Sequence, residues 1–338
     1  MKAVQLKKPG DISLEERQMP VPKETESLIE VVCAGICGSD IGAFRGTNPL
    51  VSYPRIIGHE IAGMVVSIPK NEKGICLGDR VIVDPYLYCG TCYPCSLGRT
   101  NCCEHLQVLG VHIDGGMAQY FTHPADMLIK VPDGIDWDLI PMAEPLTIVL
   151  HGIHRLRVKA GEHIAVIGAG PIGLMAAMCA LEYGAIPIIL DPIEERLEFA
   201  KSMGIPYAWN PLTDHPEEKI RKVTNGRMAE AVMEASGANS AINMSFTLVS
   251  NAGRIAFTGW PKGATSIDTS LITKKELDVR GARTSAGEFE EALRLIAEKR
   301  INVQALLSKV VSLEEAPNTI RDIEKNPGNY LKVNVRIK

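Results

Sequence analysis

Cysteines are concentrated in one short stretch of this sequence, and their spacing is typical of a metal site. Cys89, Cys92 and Cys95 are each separated by two residues, and the adjacent Cys102 and Cys103 follow in the same Gly- and Pro-containing stretch. Four thiolates can bind Zn2+ tetrahedrally at about 2.3 Å and leave no position open to a substrate, so the cluster predicts a structural zinc. Only one of the two adjacent cysteines can complete this tetrahedron, and the residues alone leave that choice open.

A second set of metal-binding residue types lies upstream of the cysteine cluster. Cys37, which is followed by Gly-Ser-Asp, and the pair His59-Glu60 supply a thiolate, an imidazole and a carboxylate from separate loops. A catalytic zinc requires three protein ligands of this kind and one open position, so this set predicts such a site. Glu144 is a further candidate, because an acidic residue within an apolar stretch needs a partner. That partner is either the metal with its bound water or a basic side chain.

A glycine-rich motif further along the chain predicts a dinucleotide site. Gly168, Gly170 and Gly173 form a G-x-G-x-x-G pattern between an apolar strand and a helix, where they permit a tight turn, approach of a pyrophosphate and close packing. Asp191 ends the next strand and is expected to bind the ribose hydroxyls of NAD and to repel the 2′-phosphate of NADP, although the nearby Arg196 could tolerate that phosphate. The predicted cofactor-binding residues are Gly168, Gly170, Pro171, Ile172, Gly173, Asp191 and Arg196.

The composition is that of a globular protein with two domains. The 338 residues are many for a single core, and the hydrophobic share of 46% and charged share of 22% are ordinary. A net charge of −4 without a long basic run gives no reason to expect a nucleic acid partner. The uncharged stretch 164–181 is interrupted by glycines and a proline, which predicts a strand, a turn and a buried helix rather than a membrane span. Since no signal peptide is recognisable at the N-terminus, we expect a cytoplasmic protein with reduced thiolates and no membrane partner.

The pattern of apolar residues changes near residue 150. Residues 1–150 contain short β-type runs separated by Gly and Pro, which predicts a β-rich domain that carries the metal ligands. Residues 151–285 alternate apolar strands with helices, which predicts an α/β class, Rossmann-type doubly wound parallel sheet. The predicted strands include 61–67, 80–83, 164–167, 186–190, 231–233, 254–258 and 332–337, and the predicted helices include 194–203, 238–249 and 288–298.

Taken together, the motifs resemble those of the zinc-containing medium-chain dehydrogenase family over essentially the whole chain. The matching motifs are Cys37-Gly-Ser-Asp, Gly58-His59-Glu60, the four-cysteine lobe, Gly115-Gly116, Glu144-Pro145 and Gly168–Gly173. The resemblance implies a GroES-like, β-rich catalytic domain that also includes residues 286–338, a Rossmann domain inserted into it, and a catalytic zinc in the cleft between the two. It further implies two zinc ions per chain, NAD as cofactor and a homodimer or homotetramer. The family spacing favours Cys103 over Cys102 as the fourth structural ligand.

The catalytic residues are similar to those of the sorbitol and polyol branch of this family. That likeness implies that Cys37, His59 and Glu60 hold the catalytic zinc, while Glu144 holds the metal-bound water and replaces a cysteine of the alcohol dehydrogenases proper. It also implies oxidation of an alcohol to a ketone with hydride transfer to NAD, in which zinc lowers the pKa of the hydroxyl and Ser39 accepts the proton first. The family's proton-relay histidine is replaced by Gly42, so water, a ribose hydroxyl or His112 would continue the route.

The substrate is predicted less directly than the chemistry. The stretches 98–103 and 111–116 are similar to those of bacterial enzymes that oxidise sugar acids such as L-galactonate or L-gulonate. Arg45 and Arg283 are candidate anchors for a substrate carboxylate, since a guanidinium group binds a carboxylate through two hydrogen bonds, although a plain surface position is an equal alternative for each. An anionic polyol, either a hexonate or a sugar phosphate, is therefore the first choice, and a neutral polyol (sorbitol or xylitol) and L-threonine are the alternative substrates. A non-enzymatic NAD-binding regulator is a different class of function, which the retained zinc ligands and Ser39 disfavour.

Overall fold

The structure is a computed structural model that describes residues 1–261 and 263–338, and the chain divides into two compact units. Unit 1 comprises Met1–Pro145, Phe289–Lys299 and Val303–Lys338, and unit 2 comprises Leu146–Glu288 and Arg300–Asn302. The boundary predicted at residue 150 therefore lies inside the first helix that enters unit 2. The boundary predicted at residue 285 lies just before Glu288.

Short strands predominate before α3, and from α3 to β16 strands alternate with helices. The strands are β1 (Lys2–Lys8), β2 (Asp11–Glu16), β3 (Glu26–Ile36), β4 (Arg55–Ile56), β5 (Glu60–Ser67), β6 (Arg80–Val83), β7 (Tyr86–Leu87), β8 (Gln107–Val108), β9 (Tyr120–Pro124), β10 (Leu128–Lys130), β11 (His163–Ile167), β12 (Ile186–Leu190), β13 (Tyr207–Trp209), β14 (Ala229–Glu234), β15 (Val249–Phe257), β16 (Asp278–Gly281), β17 (Leu307–Ser312) and β18 (Lys332–Arg336). The helices are α1 (Gly38–Arg45), α2 (Tyr93–Ser96), α3 (Ala143–Leu156), α4 (Pro171–Glu182), α5 (Glu194–Ser202), α6 (Pro216–Val223), α7 (Asn239–Leu248), α8 (Ser270–Lys275), α9 (Phe289–Ala297) and α10 (Ala316–Lys325).

Unit 1 is built on a mixed sheet that joins both ends of the chain. Its strand order is β10-β6-β5-β3-β18-β17, and β9 also pairs with β3. The C-terminal strand β18 runs antiparallel to β3 with Val333 opposite Ile36, so residues after 303 complete the sheet that carries the N-terminal metal ligands. Apolar side chains from both regions, among them Val4, Ile57 and Val335, share one buried cluster, and their removal from water holds the segments together.

Unit 2 contains a parallel sheet of strand order β13-β12-β11-β14-β15-β16 in the described part of the chain. The side chains of β11 are all buried, which explains why the strand is apolar at every position after His163 instead of alternating. The strand order reverses direction at β11, and in open parallel sheets the crevice at the carboxyl ends of strands at such a point binds ligands. Gly168, which follows β11, therefore begins the expected cofactor loop.

The sheet class and the predicted elements agree with the structure, most of them within two residues at each end, and the start of one strand differs by five residues. The strands predicted at 80–83 and 186–190 are present with those limits, and the uncharged stretch 164–181 forms β11, a turn and α4. The strand predicted at 254–258 begins earlier, at Val249, because α7 ends at Leu248 and the chain enters β15 without a loop. Within the described residues, we find no helix with both the length and the apolar character needed to span a bilayer.

Candidate metal and cofactor sites

The four cysteines predicted to hold a structural metal lie together in unit 1. The sulfur atoms of Cys89, Cys92, Cys95 and Cys103 are all within 4.8 Å of one another, and the Cys92 and Cys95 sulfurs are 3.4 Å apart. Short α2 and the turn at 100–102 fold the loop back, so that Cys103 is buried within this group while Cys102 is exposed. Of the two adjacent cysteines, the structure therefore places Cys103, and not Cys102, with the other three sulfurs.

The electrostatics of the cysteine cluster fit a bound cation. The backbone amides of Thr91 and Cys92 hydrogen-bond the Cys89 thiolate and lower its pKa to about 5, whereas desolvation and the Cys92 thiol raise the pKa of Cys95 to about 12. Four sulfurs this close cannot all ionise without a positive charge between them, and Zn2+ supplies that charge with the tetrahedral geometry that four thiolates prefer. The donor set therefore fits a structural zinc.

The second predicted metal group forms where β3 ends beside the start of β5. Cys37 follows β3, and Glu60 opens β5 opposite Gly35, so antiparallel pairing places Cys37 and His59-Glu60 side by side. One donor atom each from Cys37, His59 and Glu60 lie within 4.8 Å of one another, and Glu144 is outside this group of three. A thiolate, an imidazole and a carboxylate are a suitable three-ligand set for a catalytic zinc.

Backbone features keep these ligands in place. Cys37 is the N-cap of α1, and its N–H donates a hydrogen bond to the Asp40 carboxylate at 2.9 Å. A Cβ at Gly35 would overlap the Glu60 carboxylate, so this position must remain a glycine. Among the described residues, Oε2 of Glu60 has no hydrogen-bond partner although it is buried. A buried carboxylate oxygen without a donor is costly, and a bound cation would satisfy it.

Buried charges around His59 determine its protonation. Burial alone would lower the pKa of His59, but the negative charges of Cys37, Asp40 and Glu144 raise that pKa well above its ordinary value. Asp40 Oδ1 lies 4.0 Å from His59 Nδ1. A cation bound at Cys37 would compete with the proton for the imidazole, so these same negative charges favour metal binding.

Lys332 is a member of this site that the sequence analysis did not predict. Its Nζ atom, buried on β18, donates hydrogen bonds to the Ile36 carbonyl at 3.0 Å and to the Glu60 carboxylate. Burial would lower the pKa of Lys332, but the negative charges of Glu60 and Cys37 raise it above the ordinary value, so the ammonium group stays charged. The available signal was a lysine that opens the alternating strand β18, with no indication of its distant partner.

Glu144 lies next to the three-ligand group and has a second unpredicted neighbour, Tyr86. Glu144 lies in the first turn of α3 with its side chain almost fully buried, and the Tyr86 hydroxyl donates a hydrogen bond to its Oε1 atom. Burial raises the pKa of Glu144 to about 7, and the negative charge of Glu60 acts in the same direction, while His59 opposes both. Of the two partners considered for Glu144, the metal is not supported directly, because Glu144 lies outside the group of three donor residues that could hold it.

The remaining predicted residues of unit 1 lie outside the group of metal donors. Ser39 is on the first turn of α1, and its buried Oγ has no hydrogen-bond partner in the described part of the chain. His112 accepts a hydrogen bond from the Val108 N–H at 3.1 Å. Arg45, at the end of α1, forms an ion pair with Glu324 of α10 at 3.2 Å. A substrate carboxylate would therefore have to share or displace that pair.

Unit 2 contains the predicted cofactor residues in one loop and its supporting strand. Gly168 has a φ of 107°, which only glycine adopts readily, and a Cβ at Gly173 would overlap the Gly168 carbonyl. Gly170 is the N-cap of α4, where Pro171 and Ile172 begin the helix, and no atom lies within 4 Å of the Cβ that it lacks. This open space in front of a helix N-terminus suits a pyrophosphate.

Asp191 supports the glycine loop as well as the expected ribose position. Its Oδ2 atom accepts a hydrogen bond from the Ala169 N–H at 2.7 Å, and its Oδ1 atom accepts one from the Ile193 N–H at 2.9 Å. Arg196 lies 3.6 Å from the same carboxylate. Arg283, the other predicted unit 2 residue, is exposed just after β16 and precedes Thr284, whose φ is 47°.

Comparison with known proteins agrees with both sites. Residues 23–133 match the alcohol dehydrogenase GroES-like domain, and residues 171–298 match the zinc-binding dehydrogenase family. The chain is 55% identical to a zinc-type alcohol dehydrogenase-like protein of Haemophilus influenzae over 99% of this chain and 98% of the relative. It is 36% identical to L-galactonate-5-dehydrogenase of Escherichia coli K12 over 89% of this chain and 88% of the relative.

A solved structure supports the same assignment. An alcohol dehydrogenase from Escherichia coli CFT073, crystallised with the cofactor NADH, matches this fold with a TM-score of 0.93 and 32% sequence identity, over 100% of this chain and 99% of that one. The predicted resemblance and fold class are thus confirmed. The chain is an oxidoreductase that acts on CH–OH donors with zinc and a nicotinamide cofactor, and it belongs to the zinc-type medium-chain dehydrogenase/reductase family.

Proposed function

We propose that this chain oxidises a secondary alcohol of a sugar acid to the ketone with NAD as hydride acceptor, and that the substrate is a hexonate of the L-galactonate or L-gulonate type. The observation that supports this most strongly is the compact group of Cys37, His59 and Glu60 with the buried Glu144 beside it. Zinc held by these three ligands would supply Lewis acidity, which favours loss of the substrate hydroxyl proton.

The residues around the metal group have distinct roles in this proposal. Ser39 accepts the hydroxyl proton at Oγ, an atom that has no other hydrogen-bond partner among the described residues. Lys332 supplies a counter-charge and a hydrogen bond to Glu60, and Glu144, fixed at Oε1 by Tyr86, orients the reacting oxygen or its water. Because Gly42 has no side chain, the proton continues through water, a ribose hydroxyl or His112.

The cofactor preference follows from the charge at the end of β12. Asp191 is buried there and is anchored by the Ala169 and Ile193 amides, so its negative charge stays fixed beside the glycine loop. A carboxylate in this position favours the two ribose hydroxyls of NAD over the 2′-phosphate of NADP. Arg196 already neutralises part of that charge, which allows slow use of NADP.

Two observations favour an anionic hexonate over other alcohols. One relative of this chain is an L-galactonate-5-dehydrogenase, and the sequence offers two arginines, Arg45 and Arg283, as candidate anchors for a substrate carboxylate. Binding of a carboxylate at Arg45 would exchange the Glu324 carboxylate for that of the substrate, which conserves the ion pair. A neutral polyol, such as sorbitol or xylitol, and L-threonine are the competing substrates.

The experiment is NADH formation by the zinc-loaded protein with a panel of hexonates, neutral polyols, sugar phosphates and L-threonine. We expect turnover to be highest with a hexonate, and KM to rise at least tenfold in Arg283→Ala or Arg45→Ala. Glu324→Gln removes the negative charge that pairs with Arg45 but keeps the guanidinium, so this variant should keep or lower KM if Arg45 binds the substrate. Arg294→Ala, which breaks an exposed pair with Glu298, serves as the matched control.

Other outcomes of the panel would contradict parts of the proposal. Turnover of neutral polyols alone would retain the zinc chemistry and reject the anionic substrate. Absence of turnover with NAD still bound would favour the non-enzymatic regulator. The proposal places the protein in the cytoplasm, where the four zinc-binding thiolates remain reduced. It also gives a homodimer or homotetramer in which the edge strand β16 pairs between copies, because β15, the other predicted strand, already pairs with β14 and β16.

A further inference from the structure

Tyr86 occupies a position between the two metal groups of unit 1. Its hydroxyl donates a hydrogen bond to Oε1 of Glu144, beside the Cys37/His59/Glu60 group. Its ring belongs to a small buried cluster with Cys103 and Leu106, against which Cys92 and Cys95 also pack. One side chain thus touches both the four-cysteine lobe and the residue next to the candidate catalytic metal.

We propose that Tyr86 is a positioning residue through which the four-cysteine lobe fixes the Glu144 carboxylate. This inference rests on the proposed dehydrogenase function. It would give a metal held by these four cysteines a role beyond local stability, because the loop that carries the cysteines also anchors the tyrosine ring.

The main chain restrains Tyr86 as firmly as its ring does. Tyr86 opens β7 and pairs with Val108 of β8, which follows the last cysteine of the lobe. Its N–H donates to the Asp84 carboxylate at 3.1 Å, and its side chain is only 5% exposed. A ring with so little freedom holds its hydroxyl at one point and therefore selects one orientation of Glu144.

Control of Glu144 matters because carboxylates are adaptable ligands. A free Glu144 could rotate toward the metal group and occupy the open position that a catalytic zinc needs for its substrate. The Tyr86 hydrogen bond engages Oε1 and restricts that rotation. The tyrosine therefore keeps the carboxylate available for the reacting oxygen without closing the site.

The first test compares Tyr86→Phe with Tyr120→Phe in the zinc-loaded protein. Tyr120 also donates a hydrogen bond to a carboxylate of unit 1, Glu30 at 2.8 Å, but lies outside the metal groups. We expect Tyr86→Phe to lower kcat roughly tenfold, as loss of one hydrogen bond to a charged group predicts, while KM, NADH affinity and the two zinc ions per chain remain unchanged. Tyr120→Phe should leave kcat at the wild-type value. An unchanged kcat in Tyr86→Phe would overturn the positioning role.

The second test concerns the link to the lobe and uses a variant that removes no metal ligand. Leu106→Ala shortens a side chain packed with Tyr86 and Cys103, and Leu293→Ala shortens a buried leucine of α9 that lies outside this cluster. Both should lower Tm, but only Leu106→Ala should lower kcat, and adding Tyr86→Phe to it should cause little further loss. If the kcat losses of the two single variants multiplied in the double variant, Tyr86 and the lobe would act independently, which would contradict the proposed link.

A stability measurement, which does not depend on catalytic activity, tests this inference separately from the proposed function. In thermal unfolding, the Tm decrease caused by Tyr86→Phe should be several degrees in the wild-type background and about zero in a Glu144→Met background, because the hydrogen-bond acceptor is then absent. Equal decreases in both backgrounds would overturn the coupling. If the substrate panel gave no turnover, this cycle would still decide whether Tyr86 holds Glu144.

Discussion

Lys332 donates a hydrogen bond to the Glu60 carboxylate, which joins the last strand of the chain to the first residue of β5 at the centre of the metal group. The Glu60 carboxylate is fully buried, and the lysine side chain is only 5% exposed. The other Glu60 oxygen has no hydrogen-bond partner among the described residues and faces the position where Gly35 lacks a side chain. One oxygen of Glu60 thus accepts a hydrogen bond from the Lys332 ammonium group, and the other is available to the candidate zinc.

Replacement of Lys332 with methionine tests whether Lys332 and zinc share the Glu60 carboxylate. Without zinc, Lys332→Met leaves Glu60 as a buried carboxylate without a counter-charge, and we expect the free energy of unfolding to fall by about 3 kcal/mol. In the zinc-loaded protein the metal charge compensates in part, so the loss should be smaller. Urea unfolding with and without a chelator measures both values.

The control for Lys332→Met is a surface pair of the same type. Lys338 pairs with Glu30 at 2.6 Å with the lysine half exposed, and Lys338→Met should cost less than about 1 kcal/mol whether or not zinc is bound. If zinc did not change the cost of Lys332→Met, the lysine would not share Glu60 with the metal.

The stoichiometry of zinc can be assigned to each site with three variants. We expect two zinc ions per wild-type chain, one in Cys103→Ser and two in Cys102→Ser, because Cys102 is exposed and outside the four-sulfur group. Cys37→Ala should lose only the other zinc, with NADH binding retained. Metal analysis after dialysis gives these numbers. Loss of a zinc in Cys102→Ser would show that the lobe uses the other of the two adjacent cysteines.

The sequence predicted those parts of the fold and site that are encoded locally. The Cys-x-x-Cys spacing, the glycine motif and the change of apolar period after residue 150 each lie within a short segment, and the structure shows the corresponding loop, turn and sheet. Residues that depend on distant pairing were missed. Lys332 reaches Glu60 only because β18 pairs with β3, and Tyr86 reaches Glu144 only through the packing of the cysteine lobe.

The same limitation applies to the candidate substrate residues. Arg45 was selected for its place after Cys37, but its ion pair with Glu324 forms between segments separated by 279 positions. No local pattern encodes that pair. The arginine's role consequently remains a prediction that the Glu324→Gln variant addresses.

Asp191 provides a test of cofactor choice. We expect the wild-type protein to have a higher kcat/KM with NAD than with NADP, and Asp191→Asn to shift this ratio toward NADP by roughly tenfold, because a fixed negative charge is removed. The amide oxygen can still accept the Ala169 N–H, so the glycine loop should keep its shape. Arg196→Ala should lower the remaining activity with NADP if this guanidinium tolerates the phosphate. A wild-type preference for NADP would contradict the role assigned to Asp191.

His123 predicts how stability depends on pH at a position away from the metal ligands. Burial lowers the pKa of this imidazole from 6.5 to about 4, where its Nε2 lies 2.8 Å from the Asp84 carbonyl oxygen. Between these pH values the unfolded chain binds a proton that the folded chain does not, so stability is fully present above pH 6.5 and decreases as the pH falls toward 4. The full difference corresponds to roughly 3 kcal/mol. His123→Gln should remove this contribution, whereas His215→Gln, at an exposed histidine, should retain it. Urea unfolding of the three proteins from pH 7 to pH 4 measures the slopes, and parallel slopes for wild type and His123→Gln would show that His123 does not determine the acid sensitivity.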